Sequence, residues 1–340
     1  MVKKMSYSCK ECDESFDSLR SLHAHIKKHG KYVGDYYVEH YKRKDKLTGD
    51  LIPFKKYDQY FATDFINKRN MKKWCVTAPR EEVKEFIIKK FKEKIQAKGM
   101  SGGPPSLYLQ TSKLPDLDIY KEVFGSYREA CTQVGMLPML GKQLPSNFYD
   151  DYSQTPILID TREQKPLHFD NSELLKLDVG DYGVGGNLYD YTFVDRKSYQ
   201  DFCATVTNGY NRFVKELDRC RSIGCYLFIV VETAFDDMWG ENQRGYKKFN
   251  LEYVFHRMRE IQAEYTDCSQ IVFSGSRQKS EELIPKILVL GKDLWEVDVQ
   301  YFWNQQLKKD GLARRQTKTK QRVQGYKSAN SRKRGIFRRY

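Results

Sequence analysis

The 340-residue chain has no run of eighteen apolar residues, so a helix crossing a membrane is not expected. Its first residues, Met1-Val2-Lys3-Lys4-Met5-Ser6-Tyr7, lack the apolar segment of a secretory signal. Cysteine is sparse: eight in 340 residues do not make a disulfide scaffold, and a reducing, intracellular setting is expected. Acidic residues almost vanish near the C-terminus. From Lys308 to Tyr340, thirteen Lys or Arg face one acid, so +12 of the net charge of +14 lies there and the rest carries only +2. Such a tail binds polyanions by counterion release, without reading sequence. A solubilising tail is the plain alternative, but acids serve that purpose better. Arg314-Arg315 and Arg332-Lys333-Arg334 lie among Gln, Ser and Thr, which predicts disorder without nucleic acid. Arg332-Lys333-Arg334 has a second reading as a nuclear localisation signal. What the chain does have is length for two or three domains, and aromatics at 14%, enough for a real core.

The most informative stretch is Thr192-Phe193-Val194-Asp195-Arg196-Lys197-Ser198, followed by Asp201. It reads as a strand, and strand alternation sends Asp195 and Lys197 to one side. A carboxylate holding a divalent cation beside a lysine suits phosphodiester cleavage. Alone, the tripeptide reads as a surface ion pair. Its surroundings argue otherwise. Pro156 to Glu163 is a buried strand ending in Asp160, Arg162 and Glu163, and Leu177 to Gly183 is a strand and tight turn delivering Asp181. Tyr226–Glu232 and Gln270–Ser274 read as strands. Ser198–Val206, Asn211–Ile223, Leu251–Tyr265 and Glu281–Leu290 read as helices. This alternation predicts an α/β domain.

Asp160-Thr161-Arg162-Glu163, Gly180-Asp181-Tyr182, and Val194-Asp195-Arg196-Lys197-Ser198 with Asp201 resemble the XPF-type structure-specific endonucleases over about residues 155–292. The resemblance implies a restriction-endonuclease-like core that needs Mg2+ or Mn2+ and cuts branched or flapped DNA. It makes Asp181 and Asp195 metal ligands, joined by Asp160, with Glu163 completing the acidic cluster. Lys197 would be the catalytic lysine, Arg196 would contact phosphate or brace the site, and Asp201 would orient Arg196 or Lys197. Asn208-Gly209 and Arg212 would meet the DNA backbone. Two departures stand out. Asp195 occupies the family's Glu position, and no helix-hairpin-helix signature follows Leu290, so the oligomeric state stays open.

Tyr7, Cys9, Cys12, Phe16, Leu22, His25 and His29 fit the spacing of a Cys2His2 zinc finger. Two thiolates and two imidazoles make a closed tetrahedral Zn2+ site, hence structural. The three base-facing helix positions fall on Ser18, Ser21 and Ala24, which read little sequence. Arg20, His23, Lys27, Lys28 and Lys31 remain for phosphate. A non-specific DNA anchor or a protein-docking module is expected.

The predicted plan is a ββα zinc finger (1–31), a mainly α-helical region of unknown role (32–98), a helical repeat (99–140), a linker (141–155), the nuclease domain (156–307) and the basic tail (308–340). Within 32–98, Val83, Phe86, Ile87 and Phe91 form the packing side of a helix over Arg80–Lys98. The run Gly99 to Pro105 reads as a break. Phe124-Gly125-Ser126-Tyr127 resembles the turn in short helical repeats beside homing endonucleases, implying a small DNA contact; a helical spacer packing Tyr120, Phe124 and Leu137 is its equal. The leading expectation is a metal-dependent DNA endonuclease with Zn2+ as structural and Mg2+ or Mn2+ as catalytic cofactor. Its partners are DNA and, through the finger, a protein, with no membrane. The alternatives are a catalytically silent DNA-binding scaffold and a homing-type, sequence-recognising enzyme. Bacterial or phage-infected cytoplasm, or the nucleus, would be its place.

Overall fold

The computed structural model describes residues 6–311, and divides into two compact units. The first holds the described residues up to Lys92 together with Lys113–Ala130; the second holds Glu93–Ser112 and the described residues from Cys131 onward. Among the described residues no helix is long and apolar enough to cross a membrane.

The first unit opens with a short antiparallel hairpin of β1 (Tyr7–Ser8) and β2 (Ser15–Phe16). Helix α1 (Leu19–Ile26) starts at Ser18, whose hydroxyl accepts from Ser21 N at 3.1 Å and so satisfies one free N–H of the first turn. Leu22 and Ile26 face inward and meet Tyr36 and Tyr37 of α2 (Val33–His40) in a core with Ile52 and Tyr60. Tyr60 sits on α3 (Tyr57–Ala62), and Tyr37 stacks on Phe54 at 4.5 Å. The finger-like segment is therefore one wall of an aromatic core. Beyond it, buried Asp45 accepts from the amides of Leu47, Thr48 and Ile66 and from Asn70 Nδ2, pinning a loop to α4 (Lys68–Thr77). Val83, Phe86, Ile87 and Phe91 of α5 (Arg80–Lys98) are all buried. Helix α6 (Ser106–Thr111) belongs to the second unit. Helices α7 (Leu117–Phe124) and α8 (Tyr127–Thr132) are separated by Gly125, at φ +86°. Tyr120 is fully buried, whereas Leu137, expected to pack as part of the spacer, is 59% exposed.

The second unit is built on a six-stranded mixed sheet in the order β4-β3-β5-β6-β7-β8. Its strands are β3 (Ile157–Asp160), β4 (Ser172–Leu175), β5 (Tyr182–Val184), β6 (Thr192–Lys197), β7 (Tyr226–Val231) and β8 (Ser269–Phe273). β6, β7 and β8 run parallel; β5 is antiparallel to both β3 and β6. Both faces are covered. Phe193, Leu227, Ile229, Val231 and Phe273 point to one core with α9 (Tyr199–Val206), α10 (Tyr210–Ile223), α11 (Met238–Arg244) and α12 (Leu251–Glu264). Val194, Tyr226, Phe228, Val230 and Val272 point to the other, against α13 (Arg277–Leu290) and a last helix over 299–311. Period-two alternation with both faces buried explains why β7 reads as an unbroken apolar run.

Two segments read as loose from sequence are packed. Gly102 to Pro105 are buried, and a Cβ on Gly102 would meet Leu137 O at 2.8 Å. Between 141 and 155, Phe148 is fully buried in the core that contains Trp303.

Candidate active site

The site is assembled by main-chain hydrogen bonds first. Gly180 adopts φ +68°, and a Cβ there would lie 2.8 Å from Val194 O. Only glycine allows this approach at no cost. The next residue gains from it: Asp181 N donates to Val194 O at 2.8 Å, and Asp160 N donates to Asp181 O at 2.8 Å. Three strand ends are thereby tied together. The Asp181 carboxylate then accepts from Arg196 N at 2.8 Å, which aims it along the end of β6.

Alternation splits Asp195-Arg196-Lys197 across the sheet. Asp195 and Lys197 lie on the α9–α10 face, where Lys197 Nζ is 3.0 and 2.7 Å from the two oxygens of Asp195. Oδ2 of Asp195 is fully buried yet makes no well-directed hydrogen bond. Asp181 is close enough to hydrogen-bond with Asp195, and burial together with the Asp195 charge pushes its carboxyl up to about 8. Lys197 loses by burial, but the two aspartates outweigh this and hold its ammonium above the usual lysine value. Two touching carboxylates and one ammonium leave an excess negative charge that invites a proton or a cation.

Arg196 goes to the opposite face. Its guanidinium bridges Glu163 Oε1 at 3.1 Å and Glu232 Oε2 at 3.2 Å, and Arg277 reaches the other oxygen of Glu232 at 3.0 Å. Arg277 also donates to the carbonyls of Lys165 and Pro166. Arg196 with Glu163 and Glu232 therefore braces β6 against the loop after β3 and, through Arg277, against α13.

Asp160 and Asp201 stand apart from the pair. Asp160 is 2% exposed, and its oxygens accept from Arg162 N and Nε at 2.7 Å each, Arg162 Nη2 at 2.9 Å and Leu177 N at 2.7 Å. These donors, Arg162 first, hold it well below the usual carboxylate range. Among the described residues, it forms no set of three ligand atoms within 4.8 Å with Asp181 and Asp195. Asp201 is exposed and belongs to the cap of α9: its N–H donates to Ser198 Oγ at 3.2 Å, and its carboxylate receives the Ser198 hydroxyl at 2.6 Å. The structure does not bring it to Arg196 or Lys197.

Glu216 was not singled out in the sequence. It sits on α10, where burial and then the Asp195 charge raise its carboxyl, opposed by Lys197 and Arg212. Arg212 is exposed in the first turn of α10, one helical turn before Glu216, and Asn208 is exposed in the loop before it. Glu232 and Arg277 were missed as well. Each is an unremarkable polar residue at the end of a strand or the start of a helix. Arg314, Arg315, Arg332, Lys333 and Arg334 lie outside the described residues.

In the first unit, Cys9, Cys12, His25 and His29 converge, with their ligand atoms all within 4.8 Å. His25 Nε2 is 3.1 Å from Cys12 Sγ and 2.9 Å from His29 Nε2, while Glu14 stands 3.5 Å from its Nδ1. The donor set suits a tetrahedral soft-ligand cation with a carboxylate behind one imidazole. Two of the phosphate candidates are engaged elsewhere. His23 shares a hydrogen bond with Tyr37 OH at 3.1 Å, and Lys31 pairs with Glu11 and Glu39 at 2.6 and 2.7 Å. Ser21, Ala24, Arg20, Lys27 and Lys28 remain exposed.

No curated protein matches the chain. Among solved structures, XPF from Aeropyrum pernix is similar at 20% identity, covering 41% of this chain and 68% of that one, with a TM-score of 0.30. The same protein in complex with DNA is similar at 18% identity, covering 41% and 66%, with a TM-score of 0.31. Residues 159–287, the span that carries Asp160, Asp181, the Asp195-Arg196-Lys197 strand and Glu216, match the family model of the ERCC4 domain and support an XPF-type nuclease.

Proposed function

We propose that the chain is a metal-dependent DNA endonuclease acting on branched, flapped or otherwise non-duplex DNA. The observation that carries this reading is the Asp181–Asp195 contact with Lys197 against it, on a strand end that the ERCC4 match spans. The residues fit a divalent cation. Mg2+ takes one or two protein carboxylates and fills its remaining positions with water and phosphate. Asp181 and Asp195 are such a pair, and the buried Asp195 Oδ2 is short of a directed donor. When bound, Mg2+ or Mn2+ would polarise the phosphate and activate water. Lys197, kept protonated by the two aspartates, donates to whichever oxygen carries the developing charge. Arg196 and Glu163 hold the strand that presents both groups, and Asp160 holds the turn that presents Asp181 through its amide. Glu216 closes the α10 side and draws Arg212 toward the site, where the backbone of a strand would pass. Zn2+ would be held by Cys9, Cys12, His25 and His29 as a structural ion, with the exposed Arg20, Lys27 and Lys28 beside it for phosphate.

A cleavage assay over flap, fork, nicked, single-stranded and plain duplex DNA with Mg2+ or Mn2+ tests this. Products from flap or fork in excess of duplex, lost in Lys197→Ala, are expected. Absence of product from every substrate would leave the fold as a binding scaffold.

A further inference from the structure

The segment after β7 anchors itself through Met238 and Phe235 but leaves two aromatic rings in solvent. Most aromatic side chains of the second unit are packed in its two cores. Trp239, on α11, is 58% exposed, and Tyr246, just beyond it, is 93% exposed. Trp239 is packed on one edge, and the backbone that carries Tyr246 is closed into a loop. Trp239 stands edge-on to Phe255 at 6.0 Å between ring centroids, and Phe255 packs on Phe235 at 5.7 Å. Asn242 clamps Phe249 twice: Nδ2 donates to Phe249 O at 3.0 Å, and Phe249 N donates to Oδ1 at 2.9 Å. The clamp closes a loop whose tip is Tyr246. Lys248 donates to Gln243 O, and Lys247 lies over the Phe249 ring at 5.2 Å. Between Trp239 and Phe249 three basic residues, Arg244, Lys247 and Lys248, outnumber one acid, Glu241.

The loop also has a fixed address. Parallel β6 and β7 end in register at Lys197 and Val231, so the segment after β7 leaves from the edge that carries Lys197. A Cβ on Gly245 would overlap Gln200 Nε2 at 2.0 Å, which seats the loop on the first turn of α9, three residues beyond Lys197. Solvent-facing aromatic rings beside basic side chains are what sequence-tolerant binding of unpaired bases requires. Duplex DNA offers such rings no base faces.

We propose that residues 239–249 form a stacking ledge for an unpaired DNA strand beside the cleavage site, Trp239 and Tyr246 taking bases and Lys247 and Lys248 the phosphates. The inference rests on the endonuclease reading for its partner. It gives that reading a source of preference for non-duplex DNA.

Tryptophan fluorescence of the full chain, without added Mg2+, tests it directly. Oligo(dT) is expected to quench emission in the unmodified protein, and Trp239→Phe to remove that quench, whereas plain duplex leaves it. Tyr246→Ala should weaken oligo(dT) binding by about tenfold, the loss of one stacked base, with duplex binding unchanged. An undiminished quench in Trp239→Phe, or equal losses for oligo(dT) and duplex in Tyr246→Ala, would overturn the ledge. Cleavage of flap DNA by the unmodified protein is measured in parallel. Its absence refutes the nuclease reading on its own, whatever the quench shows.

Discussion

The two clusters of candidate ligand side chains are built on opposite plans. In the first unit, two thiols from the β1–β2 hairpin and two imidazoles from α1 and the turn after it converge on one point, and the protein supplies them all. In the second, two carboxylates meet with a lysine against one of them, too few protein donors to fill a cation's shell. A site with every position filled by protein stabilises a fold; a site left incomplete does chemistry. Substitutions at the first should therefore cost stability, and at the second, activity.

The largest effect expected is on rate. Lys197→Ala should lower Mg2+-dependent cleavage by about 10^3, the scale for removing one preorganised donor, and Asp181→Asn should abolish it, with DNA affinity retained in both. Undiminished cutting by both variants would remove the second half of the comparison. Next comes Cys9→Ala. Zinc affinity on the order of 10 kcal/mol is folding free energy in such units, so the variant should lose the structure around Leu22, Ile26 and Tyr37. Limited proteolysis should then clip the N-terminal segment while the ERCC4-matching span stays resistant. Loss of the whole fold would contradict the separation.

Gly180→Ala should be smaller. An Ala at φ +68° costs about 1–2 kcal/mol, before the contact with Val194 O is relieved. Denaturant unfolding should show this loss, together with weakened cleavage because Asp181 moves. The pH dependence sharpens the comparison further. Below about 8 the Asp181 carboxyl holds a proton that a cation must displace. The Mg2+ concentration for half-maximal cleavage should fall by up to about tenfold per pH unit toward that value, then level off. The stability sign runs the other way. A raised carboxyl leaves stability fully present below the unfolded value of about 4, and lost as pH rises through the folded one. At pH 9 without divalent cations, Asp181→Asn should therefore melt about 2–4 °C higher than the unmodified protein. The smallest effect is Asp201→Ala, at about 0.5–1 kcal/mol from a weakened cap, with cleavage retained.

Much of this was legible in the order of residues. Strands β3, β6, β7 and β8 and the helices after them follow from apolar runs and period, and the shared side of Asp195 and Lys197 follows from alternation. β4 carries no such signal. Its four residues are exposed, with Leu174 at 67%, so neither alternation nor an apolar run marks it. Gly102 to Pro105 misleads because a tether and a tightly packed turn use the same residues. Asp160 is met locally by Arg162, two residues on, and proximity in sequence to other acids says nothing of where its lone pairs point. Glu216, Glu232 and Arg277 join the site only through the packing of α10, β7 and α13, which no local pattern encodes. Asp201 had a local reading available, three residues after Ser198 at a helix start, and that reading is the one the structure follows.

The Gly180 turn has a consequence for drift. Asp181 is located by its own amide and carbonyl and by the Arg196 amide, and one missing Cβ permits all of it. Every residue but proline carries the same main-chain donor and acceptor. The side chains lining both sheet faces can therefore be exchanged across generations, so long as volume is kept, without moving the acid. Selection would then fall on Gly180 and a few polar residues, leaving the remainder of the domain free to diverge beyond easy recognition.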